Sequence, residues 1–317
     1  MKRLRRLCRD LPAYIRRYLW PLPKFRREVV VMVDGNHTHG GLTDRFRHIL
    51  SVYDFCRQNG LRFRLWYCYP CDLRLWLEPA EYDWRIDRKD LSFSCYDSRE
   101  VSLWVDPVTA ARGEEEIRRR HLEELERMAR SRRRVQYHVV GNTFLSRGRY
   151  RKLFFELFRP SERLEAALAA AREGLPAFYE AAVFRFRNLM GDFSEKKAPV
   201  LPEAERELLL EQCIEKLKEL YRQGGFSTQR ILVTSDSATF LQCAARLPFV
   251  DTLPGHPVHV DCARQGDPKP DLKSLVDLYM LMRSRRITLL LTGNMYDSGF
   301  PRFAAELGGC PFETLRF

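Results

Sequence analysis

VFRFRNLMGDF, residues 183–193, follows Ala181 and Ala182 and leads from apolar residues into two arginines one residue apart, then Gly-Asp-Phe. The apolar run predicts a buried strand over 181–187. Side chains alternate along a strand, so Arg185 and Arg187 share one face of it. Burying two guanidiniums without anions costs several kcal/mol each on Born grounds. Something negative must therefore meet them. Either a carboxylate such as Asp192 supplies the charge, or a ligand diphosphate does, gripped by the arginine forks.

Working outward, the same grammar recurs on both sides. EVVVMVD (28–34) is a β-branched apolar run of the kind that forms buried parallel strands. A polar turn, GNHTHGG, follows it, then a helix from about Thr43 with Phe46, Ile49, Leu50 and Tyr53 on one face. LRFRLWY (61–67) reads as the next strand. LSFSCYD, VSLWVD and RVQYHVVGN (134–142) predict further strands around the helix EEEIRRRHLEELERMARSRRR (114–134). That helix has its glutamates early and its arginines late, as the helix dipole favours. After the alanine-rich helix that begins at Ser161, a second alternation starts. It runs from the strand at 181–187 to a helix over 202–222, then RILVTSD, PVHVD, DLKSLVDLYMLMRS, ITLLLTGN and a last helix near 300–307. Two βα series in succession predict an α/β protein of two doubly wound, Rossmann-like domains facing a cleft. The expected divisions are a tail over 1–27, a first domain over 28–160 and a second over 161–317.

The net charge of +12 is concentrated at one end: residues 1–30 hold ten Lys/Arg against Asp10 and Glu28. That distribution argues against a nucleic-acid binder as a whole. Leu4, Leu7, Leu11, Tyr14, Ile15 and Tyr18 form a helical stripe flanked by arginines. It is either a surface that lies on anionic membrane or a solvated basic extension. The tail's arginines interrupt every apolar run, so it does not read as a signal peptide, and no segment has the length to span a bilayer. The expected location is cytoplasmic, at the inner face of the membrane if the tail docks. Cys68 and Cys71 are the one CxxC among nine cysteines, and no second pair or histidine spacing completes a zinc site. Free thiols in a reducing compartment are the better account.

In open α/β sheets, ligands sit beyond the carboxyl ends of strands. Besides Arg185 and Arg187, two other strand ends in the second half carry polar groups. In Thr234-Ser235-Asp236-Ser237, Asp236 either caps the next helix or accepts hydrogen bonds from a nucleotide. Tyr296-Asp297-Ser298-Gly299-Phe300 leads into a helix whose amides suit a phosphate. Together these point to a nucleotide-diphosphate site.

These stretches also resemble a known group. FRFRNLMGDF is similar to the HxRxGDF-type motif of the fucosyltransferases that include α1,6, α1,2 and protein O-fucosyl enzymes. TSDS, DLYMLMRSRRITLLLTGNMYDSGFPRFAAELGG and the loop HGGLTDRFRHIL resemble that group's other elements, in the same order, over most of 29–312. The resemblance implies a GT-B fold, GDP-β-L-fucose as donor, a glycan acceptor and inversion; no Asp-x-Asp stands at a strand end to hold a metal, so Arg187 with helix amides is expected to take a metal's place and no cofactor is expected. It implies that Arg187 binds the donor's β-phosphate, with Arg185, Asp192 and Phe300 in the same donor motifs. Asp236 and Ser237 would meet the nucleoside, Ser298 the phosphate, and Asp277 would stand beside the nucleotide. Gly41, Asp44 and Arg45 match a first-domain loop facing the cleft. Glu195, His37, His39 and Asp44 are candidates for the base. Arg185 stands where the group usually has histidine, and Asn188-Leu189-Met190 lengthens the turn, so another GDP-sugar is the alternative donor. A non-enzymatic, basic-tailed protein that binds membrane or nucleic acid is the alternative class. The basic tail and the resemblance together suggest a lipid-linked or surface-polysaccharide acceptor.

Overall fold

The structure, a computed structural model, describes residues 27–37, 39–105, 107–193 and 199–317, with residues 11, 15 and 18–20 of the tail. Most of the tail stripe, and Glu195, lie outside the described residues.

The chain divides into two compact units. The first comprises the chain up to His39, Asp44–Tyr69 and Pro79–Phe158, and the second comprises Gly40–Thr43, Pro70–Glu78 and Arg159–Phe317. Two short segments expected in the first domain, 40–43 and 70–78, therefore belong to the second unit.

In the first unit, β1 (Glu28–Val33), β2 (Arg62–Tyr67), β3 (Ser98–Leu103) and β4 (Gln136–Gly141) form a parallel sheet in the order β2-β1-β4-β3. Val31 stands opposite Leu65 on one side and Val139 on the other, so the β-branched run is the sheet's centre. α1 (Leu42–Gln58) buries the predicted face: Phe46 packs edge-on against Phe154 and Phe158 at 5.3 and 5.5 Å. α2 (Glu114–Arg130) and α3 (Tyr150–Leu157) complete this unit's main helices. LSFSCYD is not a strand. Ser92 and Ser94 turn the chain there instead, with Ser92 Oγ donating to Asp97 and the Ser94 carbonyl accepting from Ser98 N at 2.9 Å.

The second unit has a five-stranded parallel sheet of β5 (Glu180–Phe184), β6 (Ile231–Ser235), β7 (Val250–Thr252), β8 (Ile287–Leu291) and β9 (Phe312–Arg316). Its order is β9-β8-β5-β6-β7. β5 thus has its successor on one side and β8 on the other, which makes the gap between β5 and β8 the topological switch point of the sheet. The main helices here are α4 (Glu162–Glu173), α5 (Glu203–Arg222), α6 (Ala238–Ala244), α7 (Lys269–Met282) and α8 (Gly299–Gly308). α8 lies so close to the end of α7 that a Cβ on Gly308 would sit 2.3 Å from the Met282 carbonyl oxygen.

PVHVD does not form the predicted strand. His259 Nδ1 accepts from Asp261 N at 3.2 Å and opens a 3₁₀ turn over Val260–Cys262. The strand that pairs with β6 comes earlier, at β7.

Candidate functional site: a strained arginine at the switch point

β5 ends at Phe184, so the expected strand over 181–187 stops three residues early. The alternation persists one step further: Phe184 and Phe186 are buried against Phe240, with centroids at 4.5 and 5.2 Å, and Arg185 stands between them. At Arg187 the backbone turns into the left-handed region, with φ of 55°. It is the one non-glycine among the described residues with positive φ. Such a conformation costs an L-residue about 1–2 kcal/mol, and it persists only where the surroundings impose it. The chain then turns again at Gly191, φ 75°, where a side chain would be strained and would crowd Val200 and Arg206.

Asp236, at the end of β6, imposes the bend. Its carboxylate accepts from Phe186 N at 2.8 Å and Arg187 N at 2.7 Å, and meets Arg185 Nη1 at 2.9 Å. Burial pushes this carboxyl upward, while Arg185 and the two amides favour its ionised form. One carboxylate thus satisfies two backbone donors of the loop and one of its two guanidiniums. Asp236, rather than Asp192, is the acid that matches Arg185, and through the amides it shapes the backbone at Arg187; it does not cap the next helix, a role that falls to Ser237 and Asp192.

Arg187's guanidinium lies over the ring of Tyr296, 4.7 Å from its centroid, and Arg185's lies over Phe193 at the same distance. Tyr296 follows β8 and donates its backbone N–H to the Arg185 carbonyl at 3.0 Å, joining the two strand ends across the switch point. Ser298 caps α8 by accepting from Phe300 N at 3.2 Å. Arg185, Arg187, Asp236, Tyr296 and the start of α8 are therefore one assembly.

Asp192 is beside it but occupied differently. Its Oδ2 accepts from Ser237 Oγ at 2.9 Å and Thr239 N at 2.7 Å, capping α6. Ser237 also accepts from Phe240 N at 3.1 Å, so its hydroxyl serves the same cap. Asp277, on α7, pairs with buried Lys273 at 2.5 Å. Burial pushes the Asp277 carboxyl upward, and Lys273 opposes that shift. The i, i+4 spacing of Lys273 and Asp277 was the visible signal for this pair.

The loop HGGL divides between the units. Gly40 N donates to Asp261 Oδ2 at 3.3 Å, and a Cβ on Gly41 would lie 3.7 Å from His259 Nε2, all within the second unit. Asp44 stands in the first turn of α1, where its charge suits the helix dipole. Arg45 is buried in the first unit, donating to Tyr67 Oη at 2.9 Å and the Tyr69 carbonyl at 2.7 Å. His39 is also buried, and its Nε2 accepts from Gly35 N at 3.0 Å. To act as a base through that nitrogen it would have to release the amide. Cys71 Sγ donates to Asp271 Oδ2 at 3.3 Å, and burial with the nearby carboxylate pushes the thiol up to about 12.

Tyr296, Phe193 and Lys273 carry parts of this arrangement that the sequence did not single out. The two aromatics lie inside stretches quoted above, and their signal is that each falls near an arginine only after folding.

No family model and no curated sequence matches the chain. Among solved structures it is similar to the NodZ α-1,6-fucosyltransferase co-crystallised with GDP, with a TM-score of 0.55 at 18% identity over 89% of this chain and 92% of that one. Fucosyltransferase NodZ from Bradyrhizobium gives 0.54 at 17%, over 89% and 93%. The same enzyme soaked with GDP-fucose gives 0.54 at 17%, over 89% and 92%. The chain thus has the fold of these fucosyltransferases, the GT-B class.

Proposed function

We propose that the protein is a glycosyltransferase that moves L-fucose from GDP-β-L-fucose to a hydroxyl of a glycan. The observation that carries this reading is the left-handed Arg187, presented at the switch point by buried Asp236. The solved NodZ structures of the same fold, one with GDP and one soaked with GDP-fucose, supply the donor class.

In this reading Arg187 meets the β-phosphate and stabilises the charge that grows on the leaving diphosphate as the anomeric bond breaks. The capped start of α8, at Ser298, adds amide dipoles. That electrostatic role removes the need for a metal. The acceptor hydroxyl attacks from the opposite face and inverts the centre, with Glu195 or His39 taking its proton. Asp236 works through the backbone of the arginine loop, Asp192 and Ser237 hold α6 beside it, and Asp277 with Lys273 supports the nucleotide side.

The acceptor fits a lipid-linked precursor of a surface polysaccharide. Leu11, Ile15, Leu19 and Trp20 are exposed, and the arginine-rich tail around them suits an anionic inner leaflet. No helix among the described residues is long and apolar enough to cross a membrane.

The test is GDP release from GDP-fucose, with GDP binding read by thermal shift. Arg187→Ala should lower turnover by about 100-fold or more, in the range seen when a transition-state donor is removed. Unchanged turnover sinks the assignment. Arg185 stands in place of the group's histidine and is engaged by Asp236, which favours one second reading, a different GDP-sugar. Stabilisation by GDP with no turnover of GDP-fucose would select it, and stabilisation by UDP alone would overturn both.

A further inference from the structure

The first unit has a cavity of about 830 Å³ that the donor reading does not use. It lies between the second half of α1, the first turns of α2 and the loop 145–149 before α3, so all of its lining belongs to one unit. We propose that it is a saccharide-binding subsite, which holds an uncharged segment of the acceptor glycan. The ligand class follows from the lining; that the saccharide belongs to the acceptor rests on the fucosyl-transfer reading above.

Its floor is built and fixed. Asp54, on α1, lines the cavity with a side chain only 3% exposed. Its Oδ2 accepts from Ser146 Oγ at 2.8 Å and pairs with Arg149 Nη1 at 2.7 Å. Its Oδ1 accepts no hydrogen bond among the described residues, with Arg57 Nη2 at 3.6 Å. A carboxylate has about four acceptor positions, so Asp54 keeps capacity for a ligand hydroxyl. An oxygen buried without a donor carries a desolvation cost that such a hydroxyl relieves. The walls are tied as well: Leu145 N donates to Ser51 Oγ at 2.9 Å, and Arg147 of the loop pairs with Glu114 of α2.

The lining decides the ligand. The volume is that of a small-molecule site, but such sites are mostly apolar, and nine of the twelve residues here are polar or charged. Their charges balance, three acids against three arginines, although the whole chain is at +12. A polyanion would meet carboxylates there, and an apolar ligand would strip charged groups of water. Gln58, Glu115 and Arg118 also line the cavity, and their side chains make no hydrogen bond or ion pair with a described residue. They offer an amide that both donates and accepts, an acceptor and a set of donors. Leu122, 42% exposed, adds an apolar surface beside them. Exposed charged residues are ordinarily just solvated. These converge over a fixed, buried carboxylate, and a neutral sugar has the hydroxyls and the apolar C–H face that the set matches.

The experiment titrates maltotetraose, cellotetraose and chitotetraose into the full chain by calorimetry, with inorganic phosphate and heparin as charged controls. The variants are Arg118→Ala, Glu115→Ala and Leu122→Ala, all at exposed positions, with thermal midpoint and GDP-induced shift measured for each. At least one tetrasaccharide should bind at millimolar concentration. Arg118→Ala and Glu115→Ala should each weaken it about ten-fold, the loss of one charge-assisted hydrogen bond, with the midpoint and the GDP shift unchanged. The bound sugar should also change the rate of GDP release from GDP-fucose, at a concentration that rises about ten-fold in Arg118→Ala. Binding that none of the variants weakens lies elsewhere and overturns the proposal. So does the failure of all three tetrasaccharides to bind, or binding of phosphate or heparin that the same variants abolish. Saccharide binding with no effect on GDP release overturns the assignment to the acceptor. If the sugar binds as expected but GDP never stabilises the protein, the saccharide site stands and the donor reading fails.

Discussion

In the first unit the buried ionisable groups include, beside charged Arg45 and an Asp54 paired with Arg149 at 2.7 Å, three bases held neutral: His48, His121 and His138 are all pushed down from 6.5 by burial, His48 to about 3 and His138 to about 4. In the second unit they are charged and matched: Asp236 with Arg185, Asp277 with Lys273, Glu180 with Arg286 at 2.9 Å. The two sheets share a winding and differ in what their interiors ask of the solvent. A neutral imidazole is cheap to bury at neutral pH and serves packing. A matched ion pair is costly to desolvate and is kept where it fixes geometry. At the end of β5 it does so, because the carboxylate that balances Arg185 also bends the chain at Arg187.

The largest expected effect comes from removing that carboxylate. Asp236→Ala leaves the Arg185 guanidinium and the amides of Phe186 and Arg187 without their acceptor, and should destabilise the protein by about 3–5 kcal/mol in denaturant unfolding, with loss of turnover. Should Asp236→Ala unfold at the parent's denaturant midpoint, the contrast between the units would break.

Acid should separate the units next. A buried histidine whose pKa is lowered binds its proton more readily when unfolded. Its contribution is intact above about 6.5 and is lost as pH falls towards the folded value, at about 1.4 kcal/mol per pH unit for each. Glu180 works at a lower window: burial opposes its charge, but Ser227 and Arg286 hold its carboxyl below 4.5, so its contribution is lost only as pH drops under that value. Fluorescence of Trp66 and Trp84 reports the first unit. It should show destabilisation between pH 6.5 and 5. Stability that stays flat over that range would mean the histidines are not buried neutral.

The fold was largely legible where one rule governs a run of residues. EVVVMV, ILVTS and ITLLL are strands at the expected places because β-branched and aliphatic runs of that length suit parallel sheets. β9 escaped because FETLR is an edge strand with exposed side chains and no apolar period. It exists through pairing with β8. PVHVD failed in the opposite way, its alternation imitating a strand while His259 turned the backbone. At the site, the charge requirement of Arg185 and Arg187 could be read, and so could the candidates to meet it. The φ of Arg187 and its contact with Tyr296 could not be read, because both depend on residues 49 and 109 positions away.

The smallest effect isolates that backbone. At an ordinary position glycine is less stable than alanine by about 0.5–1 kcal/mol, because it loses more freedom on folding. At position 187 the sign should reverse. Both Arg187→Ala and Arg187→Gly discard the guanidinium and should lack turnover, but only glycine enters the left-handed region without the Cβ clash. Arg187→Gly should therefore be the more stable of the two by about 1 kcal/mol in denaturant unfolding. Because both variants lack the side chain, the difference belongs to the main chain alone. Alanine proving the more stable would mean Asp236 does not force the bend, and the link from that buried carboxylate to the presentation of Arg187 would be lost.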